Sequence, residues 1–233
     1  MNPFVRSPLL AAAAFVCVAT AGAQTGFPFQ NETLRYTLNW PSGLSLGDAG
    51  LTAQRSSSGW DLDLTLDAGI PGFAIADHYH SAINAGGCSL EFDRNTSHAV
   101  KKADEKTTFD YPNGLAHRVT LGAGGASDLP ISSCAHDALA FVYYARRELG
   151  QGRVPPPQQL FFGSAYSVRL DYTGAQTIQV GEAATLTDCV VVYLKGPASD
   201  VHFQMFFARD AARTPLSIRV PTSLGTLSLD LVR

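Results

Sequence analysis

Charged residues are scarce in this chain of 233 residues, since Asp, Glu, Lys and Arg together make up only 16%. Seventeen basic and twenty acidic residues leave a formal net charge of −3. A surface this weakly charged creates no strong field, which argues against nucleic acid or an anionic membrane as an obligate partner. The aromatic fraction of 10% is typical of a globular chain and argues against intrinsic disorder.

Two signatures of catalytic sites are also missing. The sequence contains no His-Glu-x-x-His zinc motif and no phosphate-binding loop. Its most glycine-rich stretch, at 122–125, precedes polar residues, whereas a phosphate loop precedes a helix, so we interpret it as a linker. From the sequence we assign no catalytic residue, no metal ligand and no cofactor.

The longest apolar run lies at the N-terminus, where Arg6 precedes the uncharged stretch 9–21. This run is shorter than the ~20 residues that a membrane span needs. Small residues at 21 and 23 fit signal-peptidase cleavage after Ala23. Cys17 raises the alternative of a lipoprotein, but Phe15 and Val16 stand where small residues are required. We therefore expect a signal peptide at 1–23, a single β domain at 24–233 without a transmembrane segment, and export to the periplasm of a Gram-negative-type bacterium.

Cysteine usage agrees with export. Cleavage would leave Cys88, Cys134 and Cys189, and an oxidising compartment favours pairing two of them. We favour a disulfide between Cys88 and Cys134, because glycine or serine pairs beside them mark the ends of secondary-structure elements. Cys189 lies in the apolar run 189–194, where a buried thiol is expected. The other two pairings remain open at this stage.

Apolar and polar residues alternate strictly over several segments, for example at 34–40, 60–66, 201–207 and 227–231. A period of two places one face in the core and the other in water, which is typical of antiparallel sheet. The Asn113-Gly114 pair between two such segments predicts a hairpin turn. About a dozen strands with regular turns predict an all-β sandwich or barrel-like sheet.

One segment has helical periodicity, because Leu139, Val142, Tyr143 and Leu149 recur at helical spacing. Serines at 132–133 could cap its start, and Gly150 could end it. The sequence therefore predicts a helix over about 134–149, packed against one face of the sheet.

The segment Asp77-His78-Tyr79-His80 is the first candidate for chemistry. On a strand, His78 and His80 would share a face about 7 Å apart and could together hold a metal. A closed zinc site needs two further ligands, and none stands at the expected spacing. The competing interpretation is a polar strand face towards solvent or a groove. Asp77 with either histidine could alternatively serve a hydrolase of envelope glycans.

A second candidate lies just before the predicted helix, where Cys134 precedes His136 and Asp137. A helix N-terminus can lower the pKa of a thiol, which would make Cys134 a nucleophile beside a histidine. The simpler interpretation places Cys134 in a disulfide and lets Asp137 complement the helix dipole.

The chain resembles the bacterial exported family called domain of unknown function 3108 over residues 32–233. Its most distinctive match is Asp-Ala-Leu-Ala-Phe-Val-Tyr-Tyr-Ala-Arg at 137–146. Other matches lie at 34–40 with 43–50, at 101–102 with 108–111, and at 210–218 with 225–226. The family has no assigned reaction, so the resemblance implies no catalytic residues. It implies an all-β envelope protein with a curved, half-barrel sheet similar to the LolA/LolB lipoprotein carriers, and a helix on the concave side.

From these observations we expect a non-catalytic protein of the cell envelope. Its curved sheet would bind an apolar or polymeric ligand, such as a lipid or glycan, or an envelope protein partner. We expect ligand contacts at Asp77, His78, His80 and Tyr143. The alternatives are a glycan hydrolase and a purely structural scaffold.

Overall fold

The structure is a computed structural model that describes residues 30–70, 73–122, 124–197, 199–223 and 225–232. The expected signal peptide lies outside the described residues. The elements are β1 (Glu32–Asn39), β2 (Ser45–Arg55), β3 (Gly59–Ile70), β4 (Phe73–Asn84), β5 (Ser89–His98), β6 (Lys101–Asp110), β7 (Leu115–Thr120), β8 (Ala126–Pro130), β9 (His136–Asp137), α1 (Ala138–Gly150), β10 (Gln158–Phe161), β11 (Ala165–Val180), β12 (Ala183–Lys195), β13 (Asp200–Ala208), β14 (Pro215–Thr222) and β15 (Gly225–Leu231).

Within the described residues, all fifteen strands belong to one sheet, in the order β8-β7-β6-β5-β4-β3-β2-β1-β15-β14-β13-β12-β11-β10-β9. Neighbouring strands are antiparallel, except that β9 runs parallel to β10. The first and last strands pair in the middle of the sheet, where Leu38 lies opposite Leu229. The two edge strands, β8 and β9, follow one another in the chain.

The sheet curls until its two halves face each other. Phe109 of β6 lies near the edge strand β8, and Phe161 of β10 lies beside the opposite edge strand β9. Their ring centroids are nevertheless 5.3 Å apart. Such a contact requires strong curvature, because neighbouring strands are spaced by about 4.8 Å. The all-β, half-barrel-like prediction of about a dozen strands with one helix is confirmed.

Alternating side chains explain how this sheet forms a core. On β3, Trp60 and Leu62 are buried on the concave face, while Asp61 and Asp63 point to the convex face. Because the period is two, each strand delivers one apolar row to the inside. The concave face therefore carries the core, and α1 packs against it.

The helix begins later than predicted. Residues 136–137 pair with β10 as a short parallel strand, so helical geometry starts only at Ala138. The N-cap is Asp137, whose carboxylate accepts hydrogen bonds from the backbone N–H groups of Leu139 and Ala140. The serines at 132–133 therefore do not cap the helix, since they precede β9. The helix ends at Gly150 and Gln151, before the proline run 155–157.

Three local predictions are confirmed. Asn113 and Gly114 lie in the turn between β6 and β7, where Gly114 has a φ of +68° that suits glycine. Cys88 and Cys134 form a disulfide across 46 residues, which joins the β4–β5 turn to the segment before β9. Cys189 is a buried free thiol on β12.

Candidate ligand-binding cavity

A cavity of about 410 Å³ lies between α1 and the concave face of β10–β14. Among the described residues that line it, only Tyr166 and Ser199 have a polar group in the side chain. Val142 of α1 forms one wall, and Ile218 of β14 and Phe203 of β13 belong to the wall opposite. Its volume lies within the range of about 300–1,000 Å³ that is common for small-molecule sites, and such an apolar lining suits an apolar ligand.

The cavity extends to one end of the strands, where hairpin turns connect them. This border of the sheet is called an edge from here on, as distinct from the edge strands β8 and β9. The cavity residues at that end are Tyr166, Leu194, Ser199 and Val201, which we call the cavity mouth. Ser199 lies in the β12–β13 turn, and both Ser199 and Val201 are exposed. Since exposed residues line this end, the cavity communicates with solvent at the β12–β13 turn.

A buried carboxylate fixes the N-terminus of α1. The side chain of Asp137 accepts hydrogen bonds of 2.6 Å from the hydroxyls of Ser81 on β4 and Ser89 on β5. The same carboxylate caps Leu139 and Ala140 at 2.8 and 3.0 Å. Four donors compensate the loss of solvent around this carboxylate, so the helix start is fixed against β4 and β5.

A buried ion pair fixes the C-terminal half of α1. Arg146, which is wholly buried, pairs with Glu32 of β1 and donates from Nε to the carbonyl of Ala212 at 3.0 Å. Its guanidinium carbon lies 4.7 Å from the ring centroid of Tyr143. These contacts attach the helix to the middle of the sheet, where β1 lies, and leave Val142 facing the cavity.

Tyr143, an expected ligand contact, is buried beside the Arg146–Glu32 ion pair and does not belong to the cavity lining. Burial, followed by the negative charge of Glu32, raises the pKa of its hydroxyl. In the structure, the Tyr143 side chain is therefore packed in the interior. Its expected role in ligand contact stays a prediction.

Asp77 and the two histidines lie on opposite faces of β4. His78 and His80 point to the convex face, where both contact Asp63 at 3.2 and 2.9 Å. Asp77 is buried on the concave face. No group of three or more His, Cys, Asp or Glu side chains in the described ranges is arranged to hold a metal ion. The three residues thus cannot meet one substrate, which removes support for a hydrolase built from them.

On the concave face, Asp77 belongs to a different group of side chains. Its carboxylate accepts a hydrogen bond of 3.0 Å from the Tyr79 hydroxyl and lies 2.9 Å from Nε2 of His98. Burial, followed by the nearby Asp77 charge, raises the pKa of Tyr79. These polar groups lie beside the apolar cavity, because Tyr79 packs 5.3 Å from Phe162, which lines it.

A second polar group borders Phe162. Arg94 places its guanidinium carbon 5.4 Å from the Phe162 ring centroid and pairs with Glu105 at 3.0 Å. Arg118 donates to the carbonyl of Gly163 in the β10–β11 turn. Gly163 has a φ of +69°, which suits glycine, and a Cβ there would lie within 3 Å of the ends of the Arg94 and Glu105 side chains, which would have to shift. These contacts join the β10–β11 turn to β5, β6 and β7 across the concave face.

A family model described as a protein of unknown function, DUF3108, matches residues 35–232. The chain belongs to this family. Among solved structures, it is similar to a beta-barrel-like protein of domain of unknown function DUF1849 from Brucella abortus, with a TM-score of 0.62 and 11% identity, covering 88% of this chain and 96% of that one. At this identity the likeness shows the fold alone. No curated protein matches the chain significantly.

In this DUF3108 protein, Cys134 is not a free nucleophile. Its sulfur lies 3.9 Å from Nε2 of His136 but is joined to Cys88, so no thiol is present there to act as a nucleophile. His136 is buried, with Nδ1 2.9 Å from Oε1 of Gln158 and its ring 4.6 Å from that of Tyr144. Burial lowers the pKa of His136. The surroundings therefore stabilise a neutral, packed imidazole.

The sequence also contains one match to a hydrolase motif. Gly43-Leu44-Ser45-Leu46-Gly47 fits the Gly-x-Ser-x-Gly pattern of hydrolase nucleophiles. That motif requires a turn from a strand into a helix, whereas Ser45 begins strand β2. No helix follows it, so the match lacks the structural context of a nucleophile.

Sequence reasoning did not locate the cavity. Alternation identified the rows that line it, including Val201, Phe203 and Met205, but not which rows face one another. Among the residues that the structure describes, no helix has the length and apolar character needed to cross a membrane.

Proposed function

We propose that this DUF3108 protein is a non-catalytic binding protein of the cell envelope that holds an apolar chain in the cavity beneath α1. The observation that carries the proposal is the almost wholly apolar lining of a cavity that opens at one edge of the sheet. An apolar surface that is open to water is favourable to cover, because each buried methylene contributes about 0.8 kcal/mol. At about 30 Å³ per water-sized group, the cavity accommodates roughly a dozen methylenes.

Export to the periplasm is part of this proposal. The disulfide between Cys88 and Cys134 supports an oxidising compartment, and the N-terminal segment has the pattern of a signal peptide. A lipid chain is the apolar ligand that a cell envelope offers in quantity. Among the occupants considered from the sequence, a lipid therefore fits the cavity better than a polar glycan.

Titration with cis-parinaric acid, a fatty acid that fluoresces in apolar surroundings, tests the proposal. The processed protein should bind it saturably, with one site per chain. Val142→Trp and Ile218→Trp place a bulky ring in the cavity from opposite walls, and each should weaken binding by about tenfold or more. Leu186→Trp, on the exposed side of β12, is the matched control and should leave binding unchanged.

Circular dichroism would show that each variant keeps the fold. Absence of saturable binding by the wild type would contradict the proposal. So would binding as tight as that of the wild type by both cavity variants with the fold intact. Native mass spectrometry of protein purified from its host gives a second measurement, because a carrier of lipid chains should retain a lipid-sized mass.

A further inference from the structure

Three hairpin ends carry strongly exposed apolar side chains. Leu44 in the β1–β2 turn is 66% exposed, Val100 in the β5–β6 turn is 95% exposed, and Leu121 after β7 is 51% exposed. Single apolar residues on a surface are normal and need no explanation. The informative point is where these three lie.

All three turns lie at the same edge of the sheet. Because neighbouring strands are antiparallel, successive turns alternate between the two edges, and the pairing of β1 with β15 continues this alternation. The β12–β13 turn, which contributes Ser199 to the cavity mouth, lies at this same edge. Four strand spacings of about 4.8 Å separate the β1–β2 and β5–β6 turns, so they stand about 20 Å apart along the sheet.

One of the three turns, between β5 and β6, lacks the residues that hairpin turns favour. Two-residue hairpins usually carry Asn-Gly or Asp-Gly, whereas the β5–β6 turn is formed by Ala99 and Val100. The other two turns carry glycines at positive φ, Gly43 at +86° and Gly122 at +81°, which is usual for turns. The side chain of Val100 is therefore not required by the turn, and at 95% exposure it is available for an external contact.

Basic residues stand beside the most exposed of these side chains. Lys101 and Lys102 follow Val100 directly, and both are exposed. An apolar side chain next to lysines is a typical arrangement for contact with an anionic lipid surface, where the apolar group enters the headgroup region and the lysines stay near the phosphates. The net charge of −3 does not favour such contact, so the attraction has to come from these two lysines.

We propose that Leu44, Val100 and Leu121, with Lys101 and Lys102, form a docking surface for an anionic phospholipid bilayer. We call these five residues the docking edge. Docking there brings the cavity mouth against the bilayer, where an apolar chain can pass between lipid and cavity without crossing water. This inference rests on the proposed function for its purpose, although docking itself is measured separately.

Flotation with phospholipid vesicles tests the docking edge. The protein, purified after its host has processed it, should float with vesicles of equimolar phosphatidylglycerol and phosphatidylcholine, and less with phosphatidylcholine alone. Val100→Asp should weaken binding by about tenfold or more, since it replaces an inserted apolar group by a charge. Lys101→Ser with Lys102→Ser should weaken binding to the anionic vesicles by about fivefold per lysine.

Leu186→Asp is the matched control, because Leu186 is 50% exposed but lies on β12, away from the docking edge. It should bind vesicles within about twofold of the wild type. Failure of the wild-type protein to bind anionic vesicles, or an equal loss in Leu186→Asp, would overturn the inference.

A second readout separates docking from cavity binding. Val100→Asp should still bind cis-parinaric acid in solution like the wild type, because Val100 does not line the cavity. Val142→Trp should lose this probe and still dock on vesicles. If Val100→Asp lost the probe and the vesicles together, the docking edge would not be a separate surface and the inference would be wrong. If no variant bound the probe while docking followed the pattern above, the cavity proposal alone would fail.

Discussion

Ser89 and Asp137 exchange two hydrogen bonds. The Ser89 hydroxyl donates to Oδ2 of Asp137 at 2.6 Å, and the backbone N–H of Asp137 donates to the same hydroxyl oxygen at 2.8 Å. Ser81 donates to the same carboxylate oxygen from the neighbouring strand. The residue that caps α1 is therefore also the residue that attaches the helix to the sheet, so the position of the cavity wall depends on it.

Replacing Asp137 with alanine should lower the free energy of unfolding by about 3 kcal/mol, because a helix cap and two buried hydrogen bonds to a charged group are lost. Chemical unfolding in urea, followed by circular dichroism, measures the change. The control is Asp104→Ala, an exposed aspartate on β6, which should change stability by less than about 0.5 kcal/mol. Equal effects of the two substitutions would contradict this account of α1.

Loss of the disulfide should also destabilise the fold. Cys88 and Cys134 close a loop with a sequence separation of 46, so its removal should lower the free energy of unfolding by about 4 kcal/mol in the chain-entropy model. Urea unfolding with and without a reductant measures this in the wild type. The double variant Cys88→Ser with Cys134→Ser should be insensitive to the reductant, whereas Cys189→Ala should respond to it like the wild type. An unchanged unfolding midpoint on reduction would count against the prediction.

Features encoded locally were predictable from the sequence. Alternation over 60–66 predicted a half-buried strand because a period of two fixes which side chains share a face. The turn at Asn113-Gly114 followed from residues that tolerate a positive φ. The same rule would also have separated Asp77 from His78 and His80, since neighbouring residues on a strand point to opposite faces.

Features that depend on distant partners were not predictable in this way. Glu32 and Arg146 are 114 residues apart, and nothing in either segment indicates the other. The cavity depends on which rows of the curled sheet face α1, and that follows from the contact of the two sheet halves. The helix start was misplaced for the same reason, because Asp137 becomes the cap only when residues 136–137 pair with β10.

The buried pair of Arg146 and Glu32 should be strongly coupled. Arg146→Met alone leaves Glu32 without its main partner, and breaking a buried pair by removing one member costs about 3–5 kcal/mol. Combining Arg146→Met with Glu32→Gln should restore part of this loss, because no uncompensated charge remains. A double-mutant cycle from urea unfolding measures the coupling.

Arg147→Met is the control for this cycle. Arg147 is the next residue of α1 but is partly exposed, and its guanidinium reaches the Gly86 carbonyl at 3.2 Å. A surface contact of this kind contributes about 0–1 kcal/mol. Strictly additive effects of the Arg146 and Glu32 substitutions would show that the two side chains do not stabilise each other.

His136 should make stability decrease as the pH falls through about 6.5, the pKa of histidine in the unfolded chain. Burial lowers its pKa in the folded protein, whereas in the unfolded chain the imidazole titrates near 6.5. As the pH falls below about 6.5, the unfolded state therefore binds a proton that the folded state does not, and stability decreases. In His136→Gln this contribution is absent, so its free energy of unfolding should fall less steeply over the same range.

Urea unfolding of the wild type and His136→Gln at several pH values measures the difference in slope. An NMR titration of the imidazole gives an independent test, because the signals of His136 should change only below the pH at which an unfolded histidine titrates. The geometry accommodates a neutral ring, because Nδ1–H can donate to Oε1 of Gln158 while the ring stacks on Tyr144. A titration above pH 6.5, or equal slopes for the two proteins, would mean that the buried imidazole accepts a proton in the folded state.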